Sequence, residues 1–253
     1  MFFFEILVVV FLGLVLGSFS TALIYRVPRK LSWVGGRSSC TACKSYLSAR
    51  DLIPVFSWVL SGGKCRHCSD KISAKYPVIE FVSVVLCLLV YFSSIDISDK
   101  IFLILVVPIL LSLFVIDLEH MILPNQLSLI LFVIGVIRLF YNAVSDFSDI
   151  DYYFIEYVVG TFVYVIFAWG LGAIFTKVLK KDALGFGDVK FFGVAGIWLG
   201  LSSLSYFMIL SGGLAILFSI IWRMAIKSEV FPFGPSLIAS FYLILLYHGT
   251  FFA

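Results

Sequence analysis

Charge is what this chain has least of. Asp, Glu, Lys and Arg make up 13% of its 253 residues, against about 25% in an ordinary soluble domain. Apolar residues fill the deficit at 62%, with 27 Phe among them. A soluble domain of this length could not bury so much apolar surface, so that class is excluded and a polytopic helical membrane protein remains. Internal repeats and low-complexity tracts are also missing. No basic residue precedes the first apolar run: residues 1–10 carry Glu5, and the positive charges begin at Arg26. A cleavable signal peptide would have a basic segment there, so the first run reads as a retained anchor.

Apolar runs of spanning length, or close to it, lie at about 2–25, 77–94, 101–117, 126–142, 152–177, 188–201, 203–224 and 232–250. They predict an all-α transmembrane bundle of about eight helices. The region 188–224 reads either as one broken helix or as two short ones joined at Gly200-Leu201-Ser202-Ser203. The loop 26–76 holds ten Lys and Arg, the loop around 177–190 holds four and the turn near 223–229 two. With eight helices all three fall on one side, while Asp96, Asp99, Asp146, Asp149 and Asp151 fall on the other. The positive-inside rule makes the basic side cytoplasmic and puts both termini outside. The expected division is a first transmembrane helix (1–25), a cytoplasmic loop (26–76) and a bundle (77–253). Gly13/Gly17 and Gly196/Gly200 have the spacing of close helix packing.

Loop 26–76 contains Cys40-Thr41-Ala42-Cys43 and Cys65-Arg66-His67-Cys68. Two such pairs separated by 21 residues fit a small zinc ribbon in which each knuckle offers two thiolates to one tetrahedral ion. Four thiolates leave no open position, so the metal reads as structural. A loop this short has little core, and the metal would supply much of its folding energy. The competing readings are two disulfides or a redox pair, which a cytosolic loop disfavours. His67 reads as a solvated knuckle residue. Cys87, in mid-helix, reads as a small apolar residue.

Ionisable groups in or beside a bilayer are functional candidates, because burying them costs several kcal/mol. The candidates are Asp117, Glu119, Asp182, Asp188 and Glu80. Asp117 ends one apolar run, and Pro124 opens the next helix. Asp188 follows Gly185-Phe186-Gly187 and precedes Val189-Lys190. The expected topology puts both aspartates at the cytoplasmic face. Two adjacent carboxylates share one proton. The charged one can take a proton from water and the neutral one can donate to a carbonyl oxygen. Gly185 and Gly187 would let backbone approach a substrate strand. The alternative is that both aspartates cap helices or pair with Lys190 and His120.

Taken in order, Gly17-Ser18-Phe19, Ile24-Tyr25-Arg26-Val27-Pro28, the first cysteine pair, Ile53-Pro54-Val55-Phe56-Ser57-Trp58, the second cysteine pair and Tyr76-Pro77-Val78-Ile79-Glu80 are followed by Asp117 with Leu123-Pro124, Gly185 to Lys190, and Pro232-Phe233-Gly234-Pro235. This series resembles the bacterial type IV prepilin peptidases from about residue 13 to 240. The resemblance implies an inner-membrane aspartic peptidase of the Gly-x-Gly-Asp class. It implies cleavage of basic leaders from prepilins or type II secretion pseudopilins, then methylation of the new N-terminus from S-adenosylmethionine. By position it makes Asp117 and Asp188 the catalytic pair, with Gly185, Gly187 and Lys190 in support. It makes Cys40, Cys43, Cys65 and Cys68 the zinc ligands. The implied partners are substrate helices and membrane lipid, with no nucleic acid.

The chain departs from the family in two places. Asn125 follows the Leu-Pro, where Asp is frequent, and Thr21 stands where Asn is frequent, near the loop tied to methylation. No glycine-rich methyl-donor loop of the soluble kind is present. Asp51 and Glu80 are candidates for that site, with a loop salt bridge or a helix cap as their alternatives. Other function classes compete. A transporter would show inverted repeats, which are lacking. A membrane adaptor presenting the zinc loop would tolerate loss of both aspartates. A peptidase without methylation would fit Thr21.

Overall fold

The computed structural model describes residues 2–145, 150–180, 184–226 and 231–251. The expected apolar runs are all helical. They are α1 (Phe2–Arg26), α3 (Lys75–Phe92), α4 (Ile97–His120), α5 (Asn125–Ser145), α7 (Gly160–Leu179), α8 (Phe186–Leu199), α9 (Leu204–Ile226) and α10 (Gly234–Phe251). A short helix α6 (Ile150–Tyr153) and a π-helical turn (Phe154–Val159) run into α7, and α2 (Phe56–Leu60) lies in the polar loop. Among the described residues, six helical stretches are long and apolar enough to cross a membrane: α1, α3, α4, α5, Ile150–Val178 and α9. The described residues form no strand, only the isolated bridges Ser39 with Tyr46 and Lys64 with Lys71. Asp146, Asp149, Lys181, Asp182 and Lys227, used above for charge placement or as a candidate acid, lie outside the described residues.

The chain forms two compact units, Met1–Ser93 with Leu103–Ser112, and Ser94–Phe102 with Leu113–Ala253. In the first unit α1 and α3 meet backbone to backbone. A Cβ on Gly13 would come within 2.8 Å of the Val84 Cα, and one on Gly17 within 2.6 Å of the Glu80 Cα. The small-residue spacing in the sequence therefore marks this crossing, where close backbone approach replaces side-chain interlocking. Gly17→Ala should cost about 1–3 kcal/mol through this clash, read as a lower melting temperature of the detergent-solubilised protein. An unchanged melting temperature would show that the two helices can part freely.

In the second unit α8 is the core. Every residue from Phe191 to Leu199 is buried. Tyr164, Phe192 and Phe207 form an aromatic cluster around it, with ring centroids 5.2–6.5 Å apart. The Trp198 indole donates to the Leu131 carbonyl at 3.0 Å. Gly196 lets Thr161 of α7 approach to 2.6 Å of a would-be Cβ. The helix stops at Gly200, whose φ of +77° suits a residue without a side chain. Thus 188–224 is two helices. Glu156 holds the joint, its carboxylate accepting the Ser202 N–H at 2.8 Å and its carbonyl the Leu201 N–H at 2.8 Å.

The same unit contains a pairing that sequence reasoning missed. Arg138, inside α5, donates to both carboxylate oxygens of Asp99 at 2.7 and 3.1 Å and to the Trp198 carbonyl at 3.1 Å. Asp99, expected as a loop acid, sits in the first turn of α4. The bidentate geometry is the one that makes an Arg tolerable among apolar helices.

Candidate active site and metal centre

Asp117 lies near the end of α4. The helix continues one turn past it, to His120, and Met121 closes it in the left-handed conformation with its N–H on the Asp117 carbonyl. Asp117 is 4% exposed. Its Oδ2 accepts the Gly234 N–H at 3.0 Å, at the start of α10. A Cβ on Gly234 would stand 2.5 Å from that oxygen, so only glycine lets the amide come this close. Asp188 occupies the first turn of α8, with its own N–H bonded to the carbonyl of the extended Gly185.

Leu123 joins the two halves. A Cβ on Gly187 would touch the Leu123 Cβ at 3.2 Å, and one on Gly234 would touch the Leu123 Cδ2 at 3.2 Å. The Leu-Pro turn after α4 is therefore wedged between Gly187 in the first turn of α8 and Gly234 at the start of α10. Asp117 and Asp188, 71 positions apart in the sequence, thus flank the same Leu123 turn, one through Gly234 and the other through the neighbouring Gly187. Both belong to the second unit. Asp188 remains partly exposed, which leaves a route for water. Lys190 donates to the Asn125 Oδ1 at 2.7 Å and lies over the Phe186 ring. Asn125, a departure from the family's frequent Asp, is thus an uncharged partner for this lysine. Lys190 is therefore held by Asn125 and not by either aspartate.

In the first unit the four cysteines converge. Their sulfurs all lie within 4.8 Å of one another, and the Cys40 and Cys68 sulfurs are 3.9 Å apart. A tetrahedral zinc with bonds of about 2.3 Å needs sulfur edges of about 3.8 Å, so the set fits that ion. No disulfide links them, and His67 is not among the clustered ligands. The two knuckles are built alike. The Cys40 N–H donates to the Ser45 carbonyl and the Cys65 N–H to the Asp70 carbonyl. Lys44 and Ser69 donate back to the Cys40 and Cys65 carbonyls. The turn falls at Lys44 and Ser69, with φ of 61° and 60°. Hydrogen bonds from Ser45 to the thiolate hold the Cys43 thiol down at about 6, so one ligand is ready to bind near neutral pH.

Beside this cluster lies a cleft of about 620 Å³. Thr21, Asp51 and Glu80 all line it. Asp51 is the loop salt bridge of the alternative reading: it pairs with Arg66 at 3.3 Å and accepts from the Ser48 N–H and hydroxyl. These hydrogen bonds, followed by the Arg66 charge, lower its pKa. Cys87 is fully buried in α3, as an apolar residue would be.

The fold and site define a class: a polytopic helical membrane protein with an aspartate on each side of the Leu123 turn and a cysteine cluster able to hold a metal ion. Comparison with known proteins narrows this. A model described as bacterial peptidase A24 N-terminal domain matches residues 11–94, and one for the type IV leader peptidase family matches residues 104–220. A prepilin leader peptidase/N-methyltransferase of Vibrio cholerae is 31% identical over 92% of both chains. One of Bacillus subtilis is 31% identical over 93% of this chain and 91% of its own. A type 4 prepilin-like proteins leader peptide-processing enzyme of Escherichia coli is 30% identical over 93% of both. The chain belongs to the type IV prepilin peptidase family. No solved structure matches it.

Proposed function

We propose that this protein cleaves the leaders of type IV prepilins or type II secretion pseudopilins and N-methylates the product with S-adenosylmethionine. The observation that carries the peptidase reading is the convergence of Asp117 and Asp188 around Leu123, in a member of this family. One carboxylate takes a proton from the attacking water. The other donates a proton to the scissile carbonyl oxygen, and the tetrahedral intermediate then collapses with protonation of the leaving amine. Gly187 and Gly234 let the Leu123 turn and Asp117 close up on the site, and Gly185 leaves room beside the Asp188 carboxylate. Lys190, fixed by Asn125, supports the α8 N-terminus.

We place the protein in the inner membrane with the loop 26–76 and the dyad on the cytoplasmic side, both termini outside and lipid around the bundle. A prepilin is a membrane helix with a basic leader on that side. Extended chain at this depth requires a protein or water lining. The cysteine set would hold zinc, whose contribution is to fold the knuckles. In Cys40→Ser/Cys65→Ser we expect bound zinc to fall from about one ion per chain to none, measured by elemental analysis. Undiminished zinc would refute the tetrathiolate site.

The activity itself is tested with purified protein, a prepilin and an isotopically labelled methyl donor, both products being read by mass. Loss of the leader and a gain of one methyl group are expected. An untouched prepilin would overturn the reading.

A further inference from the structure

Glu80 is 7% exposed. It lies in α3 against α1, and it lines the cleft of the first unit. Its carboxylate accepts the Val55 N–H at 2.7 Å and is approached by the Ser18 side chain. Both partners are neutral. A buried carboxylate in its charged form is expensive unless a cation meets it. Of the cations that line the cleft, Arg66 is paired with Asp51 and Arg26 donates to the Gly36 carbonyl at 2.7 Å; Arg37, Lys64 and Lys71 line it too, but the hydrogen bond given to the Glu80 carboxylate comes from a backbone amide.

The segment that Glu80 holds is itself unusual. Val55 has φ 61° and ψ −54°, and the Phe56 N–H closes back on the Pro54 carbonyl at 2.6 Å. This is a γ-turn of the strained, positive-φ kind, and it falls on a β-branched residue. Backbone held in such a conformation needs surroundings that over-determine it, and it concentrates at ligand clamps. Here the pin is the Glu80 carboxylate. Immediately after the turn comes α2, which brings the Trp58 ring to the same cleft. Tyr25 and Tyr76 line it as well. The volume is in the range of small-molecule sites, about 300–1,000 Å³. Flat rings, a buried anion, serine and threonine hydroxyls and the outer base Arg37 form a lining suited to a cationic nucleoside.

We propose that this cleft is the methyl-donor site, with Glu80 compensating the positive charge of S-adenosylmethionine and the Trp58 and Tyr76 rings of the lining taking its adenine and sulfonium. The assignment rests on the methyltransferase part of the function proposed above. A sulfonium or ammonium against aromatic faces gains cation–π attraction, and the donor's own carboxylate has Arg37 within the lining. Thr21 belongs to the same wall, its hydroxyl turned back to the Ser18 carbonyl at 2.7 Å. The departure from Asn therefore falls inside the donor site.

The test uses the full-length zinc-loaded protein in lipid nanodiscs. Ultraviolet cross-linking with radiolabelled S-adenosylmethionine should label the peptides that carry Tyr25, Trp58 or Tyr76. In calorimetry Glu80→Gln should raise the donor Kd roughly tenfold or more, whereas Asp188→Asn should bind as the wild type does. Cross-linking needs no substitution, so it decides the matter even if Glu80→Gln fails to fold. Label mapping outside residues 18–80, or an unchanged Kd in folded Glu80→Gln, overturns the site. If methyl transfer to the cleaved pilin persists in either case, the enzyme assignment stands and only the site falls. A protein that neither binds the donor nor transfers a methyl group overturns both.

Discussion

Asp188→Asn and Asp117→Asn should each abolish leader cleavage, with a fall of at least about 10²–10⁴-fold. Asparagine keeps the size of the side chain and its ability to accept a hydrogen bond. At position 117 the Gly234 N–H, 3.0 Å from Oδ2, would still find an oxygen. What is lost is the proton that a carboxyl group can take or give. The folded protein should therefore survive, with its metal content and membrane insertion the same as the wild type's, and prepilin should accumulate uncut. Methylation of a synthetic pilin peptide that already has its mature N-terminus should persist in both variants, because the cysteine cluster and the donor cleft belong to the other compact unit. Full cleavage by either purified variant would contradict the assignment of the dyad.

Gly234→Ala tests geometry rather than chemistry, and its effect should be nearly as large. A methyl group there would stand 2.5 Å from the Asp117 Oδ2 and 2.8 Å from its Cγ. Asp117 cannot stay and neither can the first turn of α10. Displacement of a catalytic group by about 1 Å costs on the order of 10²-fold in rate. Both acids remain in the variant, so the loss must come from their placement. The comparison is direct: kcat for leader removal should drop while donor binding is unaltered. A variant that cuts at close to the wild-type rate would mean that Asp117 does not need this amide.

The sequence made the helices legible because the bilayer imposes a length on apolar runs, and each run maps onto a helix. The cysteine pairs were legible for a similar reason: holding one tetrahedral ion requires such a local spacing, and the four sulfurs do cluster. The aspartates were weak signals individually, and their order among the other motifs singled them out. What stayed hidden was long-range. Nothing local to Gly234 says that its amide serves an acid 117 residues earlier. Arg138 was visible as a charge in an apolar run, but its partner Asp99 looked like an ordinary loop residue. The turn at Val55 was unreadable because valine is among the last residues expected at positive φ. Only the buried carboxylate of Glu80, from another part of the chain, makes it tenable.

Helix α8 spans 14 residues, about 21 Å at 1.5 Å per residue, short of a hydrocarbon layer about 30 Å thick. It escapes the requirement because neighbouring protein, not lipid, surrounds it from Phe191 to Leu199. Its hydropathy resembles that of the outer spans, but its tolerance to change should not. A lipid-facing position such as Phe11 or Ile209 has a fluid neighbour that adapts to any greasy side chain. Ala195 and Ile197 have solid ones, so a single added methylene would be felt at the carboxylate two turns away.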